Sequence, residues 1–272
     1  MEKKIGFIGT GNMGSALLKG LVESGMLLPS HIYIYDIDTK KTETLSNETG
    51  VIVARDNEEL VCKSDIIVLA VKPNMAVPVL ERVKGVFDNK KILVSIAVGI
   101  AINTLKGVLG EDKKIIRTMP NTPALVKEGM TLISYGENVN DNDAAIVKNM
   151  FECVGKVEIL DESLMNEVTA LTSSSPAYVF MFIEAMGDAA VLSGIPRNLA
   201  YKLASQAVLG SAKLVLETGK HPGQLKDQVC SPAGTTIEAV YALEKNGFRH
   251  SVIEAMNGCT RRAREIGGNG QV

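Results

Sequence analysis

Six consecutive residues near the N-terminus have the spacing G-x-G-x-x-G: Gly9, Thr10, Gly11, Asn12, Met13 and Gly14. They follow a predicted strand, Lys4–Ile8, and open a predicted helix, Ser15–Glu23. In a strand–turn–helix of this kind the first glycine permits a tight turn, the second lets the backbone approach a pyrophosphate, and the third allows the helix to pack on the strand. Because amides at a helix N-terminus bind phosphate, the segment predicts a dinucleotide site rather than a plain βα turn.

Asp36 ends the second predicted strand, Ile32–Tyr35, about 20 residues beyond the glycines. An acid at this place binds the ribose hydroxyls of NAD, and the 2′-phosphate of NADP would meet its carboxylate. Thr39, Lys40 and Lys41 follow closely and offer groups that can receive such a phosphate. Asp36 therefore favours NADH, and the lysines leave NADPH open.

Two further strand ends offer cofactor contacts, because open α/β sheets bind ligands at the carboxyl ends of their strands. Ala70, Val71, Lys72 and Pro73 come at the end of one predicted strand, and Ala97 comes at the end of the next. Pro73 stops the strand and leaves Lys72 at the sheet edge. A lysine there contacts a phosphate or ribose about as often as it is an ordinary surface residue.

A second dense feature is the segment S-P-A-G-T-T, Ser231–Thr236, which precedes a predicted helix. Hydroxyl groups and the free amides of a helix N-terminus make a cradle for a carboxylate. An ordinary Ser/Thr helix cap has the same composition, and composition alone favours the cap. The same question applies to the segment Thr172–Pro176.

Strand-like and helix-like segments alternate through the first half of the chain. The predicted strands are Lys4–Ile8, Ile32–Tyr35, Val51–Ala54, Ile66–Val71, Ile92–Ala97, Ile115–Arg117, Met130–Ser134 and Lys156–Leu160. The continuous apolar run of Ile66–Val71 is typical of a parallel strand covered on both faces. The alternation predicts an α/β Rossmann-like domain with a doubly wound, mostly parallel sheet.

After about Asp161 the strand pattern stops. Long helical segments are predicted at Glu162–Thr172, Pro176–Ser193, Arg197–Thr218 and Thr235 to about Arg264. The sequence thus predicts a dinucleotide-binding domain at residues 1–160 and an all-α substrate-binding and dimerisation domain at residues 161–272.

The predicted helix Ala177–Leu192 is apolar on every side except at Glu184 and Asp188. A helix that is apolar all round must be buried all round. A small helical domain can hardly enclose it alone, so we expect an intertwined homodimer. The alternative is the central helix of a monomeric bundle.

The net charge is −2, with 29 Lys and Arg against 31 Asp and Glu. It gives no electrostatic reason to expect a nucleic-acid or membrane partner. The N-terminal apolar run is broken by glycines, unlike a signal peptide, and Ala177–Leu192 is too short to span a bilayer. No C-x-x-C pair occurs among the cysteines, so we expect neither zinc nor disulfides, and a reduced cytoplasmic setting.

In their order, these segments resemble pyrroline-5-carboxylate reductases. The blocks that carry the resemblance are Ile8–Gly14, Ala70–Pro73, Met119–Leu125 (M-P-N-T-P-A-L), Ser174–Tyr178, Leu225–Asp227 and Ser231–Thr236. The resemblance runs collinearly from residue 5 to about 258. It implies reduction of 1-pyrroline-5-carboxylate to L-proline, the last step of proline biosynthesis, with NADPH or NADH. It also implies an interlocked homodimer, often with five dimers in a ring.

The resemblance also implies roles for individual residues. Thr236 corresponds to the catalytic residue beside the substrate ring nitrogen, and Glu162 to a substrate-side acid outside any strong motif. The loop that holds the substrate carboxylate corresponds to Ser231, Gly234 and Thr235. Cofactor contacts correspond to Asn57, Val71, Lys72 and Ala97. Ala233 replaces the usual first glycine of the carboxylate loop, and Ser173 and Ser175 replace glycines before Pro176.

These residues suit reduction of a cyclic imine. The protonated imine already carries positive charge on the carbon that receives hydride, so the site needs positioning and one hydrogen-bonding group rather than a strong base. A β-hydroxyacid dehydrogenase would need a lysine acid on the first long helix of the second domain, and Tyr178–Leu192 has none. A regulatory protein that only senses NAD(P) would not need a carboxylate cradle.

Overall fold

The computed structural model describes residues 3–266. Its eight strands join one sheet and are β1 (Ile5–Ile8), β2 (Ile32–Tyr35), β3 (Ile52–Val53), β4 (Ile66–Leu69), β5 (Ile92–Ser95), β6 (Lys114–Met119), β7 (Gly129–Tyr135) and β8 (Gly155–Ile159). Each predicted strand is present, and β8 lies at one edge of the sheet.

The sheet has the strand order β3-β2-β1-β4-β5-β6-β7-β8. Neighbours from β3 through β6 are parallel, β7 runs antiparallel to β6, and β8 is parallel to β7. The first six strands therefore have the usual Rossmann order, in which the crevice at the strand-order reversal binds the dinucleotide. Here that reversal lies between β1 and β4.

Helices cover both faces of this sheet. They are α1 (Asn12–Glu23), α2 (Thr39–Thr49), α3 (Asn57–Lys63), α4 (Pro73–Val83), α5 (Ile102–Leu109) and α6 (Asp141–Glu152). Strand β4 shows why two layers are needed, since all four of its residues are buried. Ile66 and Val68 pack into one core with α1 and α6, while Ile67 and Leu69 pack into the other with α3, α4 and α5. The period-two alternation of a strand sends its neighbours to opposite faces.

Residues 175–266 are mainly helical, with α7 (Ser175–Leu192), α8 (Arg197–Thr218), α9 (Pro222–Val229), α10 (Thr235–Lys245) and α11 (Phe248–Ile266). The prediction of one helix from Thr235 to Arg264 was wrong, because Gly247 takes a left-handed φ of 73° between α10 and α11. Helix α9 was not among the predicted helices, although proline fits the first helical turn.

The predicted helix Glu162–Thr172 was also wrong. The segment contains a 3₁₀ turn at Glu162–Leu164 and a π-helical turn at Thr169–Ser173. Asp161 caps the 3₁₀ turn by accepting from Ser163 N at 2.8 Å. Single π-helical turns occur often at functional sites, and this one ends at Ser173, the first residue of the S-S-S-P segment.

The chain forms two compact units. Among the described residues, one unit comprises residues 3–173 and 260–266, and the other is Ser174–Cys259. Within the first unit, Arg264 near the end of α11 donates to both carboxylate oxygens of Glu167, at 2.8 and 2.6 Å. The functional boundary at residue 160 stays a prediction. It falls directly after β8, while the compact unit continues through the π-helical turn.

Helix α7 exposes large apolar side chains. Phe180 is 62% exposed, Met181 68% and Leu192 90%, and Gly187 is its only buried residue among those described. An apolar surface of this kind marks contact with another protein or a membrane. Within residues 3–266, Thr169–Leu192 is also the one helical stretch whose length and composition would allow it to cross a membrane.

Two helical glycines of the α/β unit provide a matched stability test. A Cβ on Gly20 in α1 would lie 2.3 Å from Val154 Cγ1, whereas a Cβ on Gly107 in α5 would meet nothing within 4 Å. We expect Gly20→Ala to lower the free energy of unfolding by about 1–3 kcal/mol through overpacking. Gly107→Ala should raise it by up to about 1 kcal/mol through helix propensity. Denaturant unfolding of both variants checks the pair, and equal effects would contradict the packing of α1 on Val154.

Candidate active site

The three glycines in the turn between β1 and α1 have different roles. Gly9 has φ +97°, and a Cβ there would lie 2.6 Å from the backbone oxygen of Ala70. A Cβ on Gly14 would lie 2.8 Å from the backbone oxygen of Gly9, so α1 packs tightly on the turn. A Cβ on Gly11 would meet nothing within 4 Å. The open space beside Gly11 lies at the N-terminus of α1, where a pyrophosphate can approach the backbone.

Asp36 holds this turn against the end of β2. Its Oδ2 accepts from Thr10 N at 2.7 Å and from Thr10 Oγ1 at 3.1 Å, and its Oδ1 accepts from Asp38 N at 3.0 Å. Burial raises the pKa of Asp36, but these hydrogen bonds and the charge of Lys41 lower it more, so its pKa lies below the usual value. The carboxylate is therefore ionised at neutral pH. The stabilisation it gives is present above the unfolded-state pKa and is lost as pH falls through the folded-state pKa.

A cavity of about 590 Å³ opens beside this turn. Seven predicted cofactor residues line it: Gly9, Gly11, Asp36, Asn57, Ala70, Val71 and Lys72. The side-chain oxygen of Asn57 is buried and has no hydrogen-bond partner among the described residues. This oxygen is closed to solvent, and an unsatisfied polar group is costly, so it could accept from a ligand in the cavity only after its side chain turned. The fit of a dinucleotide to the cavity rests instead on the open space at Gly11 and on the carboxylate of Asp36.

The other predicted cofactor residues do not line this cavity: Thr10, Asn12, Met13, Gly14, Pro73 and Ala97. Thr10 is buried and bonded to Asp36. Asn12 lines a smaller cavity along α1 with Lys19 and Leu125. Pro73 opens α4, and Ala97 is buried just beyond β5. These residues shape the walls and helix starts around the site.

In the helical unit, the segment Ser231–Thr236 ends at the start of α10. Gly234 is the residue before the helix and its N–H donates to Ser231 O at 3.1 Å. A Cβ on Gly234 would lie 2.3 Å from Ser231 Oγ, so a larger residue here would displace the Ser231 hydroxyl. No side chain caps the helix from this position. The amides of Thr235 and Thr236 lie in the first turn, where backbone donors lack intrahelical partners and can bind an anion.

Glu162 lies in a network within the α/β unit. Its Oε1 accepts from Ile102 N at 2.7 Å and from Arg117 Nη1 at 3.1 Å, and Arg117 also donates to Asn166 Oδ1 at 3.2 Å. The structure thus gives one carboxylate oxygen of Glu162 a structural partner at the start of α5 and another on β6. Its assignment as a substrate-side acid stays a prediction.

Sequence reasoning missed Asn121 of the M-P-N-T-P segment. Its Nδ2 donates to Thr172 O at 2.9 Å and its Oδ1 accepts from Met130 N at 2.9 Å. The side chain therefore joins the loop after β6 to the π-helical turn and to β7. The asparagine between two prolines was the available signal, since a prolyl segment of this kind leaves few backbone donors to fix it.

Comparison with known proteins gives consistent results over almost the whole chain. The chain is 52% identical over 266 residues to pyrroline-5-carboxylate reductase of Escherichia coli strain K12, covering 98% of this chain and 99% of that protein. It is 43% identical to pyrroline-5-carboxylate reductase of Arabidopsis thaliana, with 97% and 95% covered. The chain belongs to the pyrroline-5-carboxylate reductase family.

The two parts of this reductase match separate family descriptions. Residues 4–99 match "NADP oxidoreductase coenzyme F420-dependent", and residues 162–266 match "Pyrroline-5-carboxylate reductase dimerisation". A solved Plasmodium falciparum pyrroline carboxylate reductase with NADP bound is 36% identical and has a TM-score of 0.90, with 98% of each chain covered. The predictions of the family, the fold class, the reductase function and an NAD(P)H cofactor are confirmed.

The family relation makes Ala233 a natural test position. Ala233 has φ +55°, the left-handed region that favours glycine, where the sequence resemblance expects glycine. We expect Ala233→Gly to raise the free energy of unfolding by about 0.5–1 kcal/mol, because relief of left-handed strain exceeds the added unfolded-state entropy. Thermal unfolding checks this. A loss of stability would contradict the backbone conformation of the loop.

Proposed function

We propose that this chain reduces 1-pyrroline-5-carboxylate to L-proline with hydride from NADH or NADPH, as the last step of proline biosynthesis. The observation that carries the proposal is the uncapped start of α10 in the S-P-A-G-T-T segment. It offers a carboxylate site on a chain 52% identical to the Escherichia coli reductase. A site for hydride transfer alone would fit many oxidoreductases of this fold. An additional anion site with hydroxyl groups fits a cyclic imino acid.

The carboxylate of the substrate binds the loop formed by Ser231, Gly234 and Thr235. Amides at the start of α10 and the neighbouring hydroxyls donate to its oxygens, which fixes the ring. Thr236 hydrogen-bonds the ring nitrogen and holds or relays its proton. As the C=N double bond becomes a single bond, its π electrons pass to the nitrogen, which remains protonated and becomes the amine of proline.

When bound, the reduced nicotinamide supplies the hydride for the imine carbon. The residues that hold the dinucleotide follow the carboxyl ends of strands β1 to β5. Gly9, Thr10, Gly11, Asn12, Met13 and Gly14 form the pyrophosphate turn and its helix start. Asp36 binds ribose, Asn57 contacts the ligand from the cavity wall, and Ala70, Val71, Lys72, Pro73 and Ala97 form the adjoining edge. Glu162 is the acid on the substrate side of the site.

The protein acts as a cytoplasmic homodimer through residues 161–272, and dimers can assemble further into a decamer. The exposed side chains of α7, such as Phe180 and Met181, support a dimer more than a monomeric bundle. Its partners are its own copies and a small-molecule substrate, without nucleic acid or membrane. The mass of the protein in solution distinguishes a monomer, a dimer and a decamer, and a monomer at micromolar concentration would contradict the proposal.

Oxidation of NADH and NADPH with 1-pyrroline-5-carboxylate, set beside a panel of β-hydroxyacids with the oxidised cofactors, tests the proposed activity. We expect turnover with the imine and formation of proline. Turnover of a hydroxyacid alone would favour a β-hydroxyacid dehydrogenase, although α7 contains no lysine. Cofactor binding without any turnover would favour a regulatory sensor.

A further inference from the structure

We propose that Asp36 and Asp38 make this reductase select NADH over NADPH. The inference rests on the proposed function and concerns the dinucleotide cavity of the α/β unit. Asp36 directly follows β2, and Asp38 precedes α2. Both residues line the cavity, with Ile37 between them. The end of β2 is where ribose hydroxyls or a 2′-phosphate would be bound in this fold.

The carboxylate of Asp36 is fixed in position. Oδ2 accepts two hydrogen bonds from Thr10, and Oδ1 accepts one from Asp38 N. A carboxylate has about four lone-pair sites on its two oxygens, so Oδ1 retains capacity for one more donor. A ribose 2′-hydroxyl can donate to it. A 2′-phosphate has no such proton to offer when fully ionised, and moving Asp36 away would break the turn that receives the pyrophosphate.

Positive charge at this end of the cavity is already partly neutralised. Lys41 lines the cavity, and its Nζ lies 3.6 Å from Asp38 Oδ2. Lys72 also lines the cavity, but it follows β4, which lies across β1 from β2. The 2′-phosphate of NADPH would therefore face two carboxylates and one lysine that is paired with the second of them. Like charges placed together in this way oppose binding.

The side chain of Ile37 adds a contact that does not discriminate. It is 91% exposed on the cavity rim, and it would lose exposure against either cofactor equally. The selection between NADH and NADPH therefore depends on the charges of Asp36 and Asp38. The Plasmodium relative was solved with NADP, and the inference for this chain comes from its own pair of acids.

Steady-state kinetics of the native enzyme with both cofactors tests the inference. We expect kcat/KM to be at least about tenfold higher with NADH than with NADPH. The difference should narrow as salt is raised, because exposed charges are screened. A kcat/KM with NADPH equal to or higher than that with NADH would overturn the inference. Fluorescence titration of each reduced cofactor without substrate gives the same comparison without turnover. If the protein binds NADH more tightly than NADPH but forms no proline, the proposed function is refuted and the inferred cofactor selectivity still stands.

Two charge-removing variants locate the effect. Asp38→Asn keeps a good residue before a helix and frees Lys41, so we expect the NADH:NADPH ratio of kcat/KM to fall about threefold to tenfold. Asp36→Asn should shift the ratio in the same direction, with some loss for both cofactors because the turn loosens. Thr10→Val removes one hydrogen bond but no charge. It should weaken the binding of both cofactors and leave the NADH:NADPH ratio of kcat/KM unchanged.

Asp112→Asn is the matched control for net charge. Asp112 is exposed and lies before β6, at the opposite edge of the parallel strands. We expect the NADH:NADPH ratio of kcat/KM of this variant to equal that of the native enzyme. If Asp38→Asn and Asp36→Asn both leave the ratio at the native value, the two acids do not set it and the inference fails.

Discussion

Thr236→Val should lower kcat/KM for 1-pyrroline-5-carboxylate by about 10²-fold or more, because it removes a positioned hydrogen-bonding group from the reacting centre. Valine has nearly the shape of threonine but lacks the hydroxyl. Thr236 is the second residue of α10 and is half-buried, so the fold should tolerate the change. The loss should appear in kcat, with cofactor KM unchanged, because the dinucleotide cavity lies in the α/β unit.

Thr236→Ser is the matched control, since it restores the hydroxyl. We expect it to retain kcat/KM within about tenfold of the native enzyme. Thermal unfolding of both variants separates a catalytic loss from an unstable helix. If Thr236→Val keeps native kcat/KM, Thr236 neither orients nor protonates the imine, and the proton comes from elsewhere.

Gly9→Ala should remove dinucleotide binding and destabilise the α/β unit by about 2–4 kcal/mol. The added Cβ would lie 2.6 Å from Ala70 O and 3.1 Å from Val71 Cγ1, and the backbone has φ +97°. Ala70 O is a backbone atom directly after β4. The clash can therefore be relieved only if β1 and β4 move apart. Denaturant unfolding and cofactor titration measure the two effects.

Gly11→Ala provides the contrast. Its Cβ would meet nothing within 4 Å, so stability should stay within about 1 kcal/mol of the native value. Cofactor affinity should nevertheless fall at least about tenfold, because the methyl group occupies the space through which a pyrophosphate approaches the backbone. If Gly11→Ala binds cofactor as well as the native protein, the pyrophosphate lies elsewhere.

The sequence allowed the sheet to be predicted because its strands are short, apolar and buried. Ile66, Ile67, Val68 and Leu69 could hardly be a surface element, and glycines at residues 9 and 14 fixed the turn that follows β1. The end of β4 was placed too late, since the chain leaves the strand at Ala70 although the apolar run continues to Val71. Apolar character persists there because Val71 lines the cavity.

The features that could not be predicted depend on contacts distant in sequence or on broken local rules. Asn121 bonds to Thr172 and Arg117 bonds to Glu162, and no spacing rule connects such positions. The left-handed backbone of Ala233 opposes the preference of alanine, so its type gives no sign of the turn. For Asp36, position predicted a ribose contact, while its second role with Thr10 appears only in three dimensions.

Transfer of deuterium from the reduced cofactor to the imine carbon is the decisive test of the proposed reaction. The enzyme is given 1-pyrroline-5-carboxylate and NADH that carries deuterium at both C4 positions, and the product is examined by mass spectrometry and NMR. The account predicts L-proline with a single deuterium on Cδ, the former imine carbon. Proline without deuterium, or oxidation of NADH without formation of proline, would contradict it.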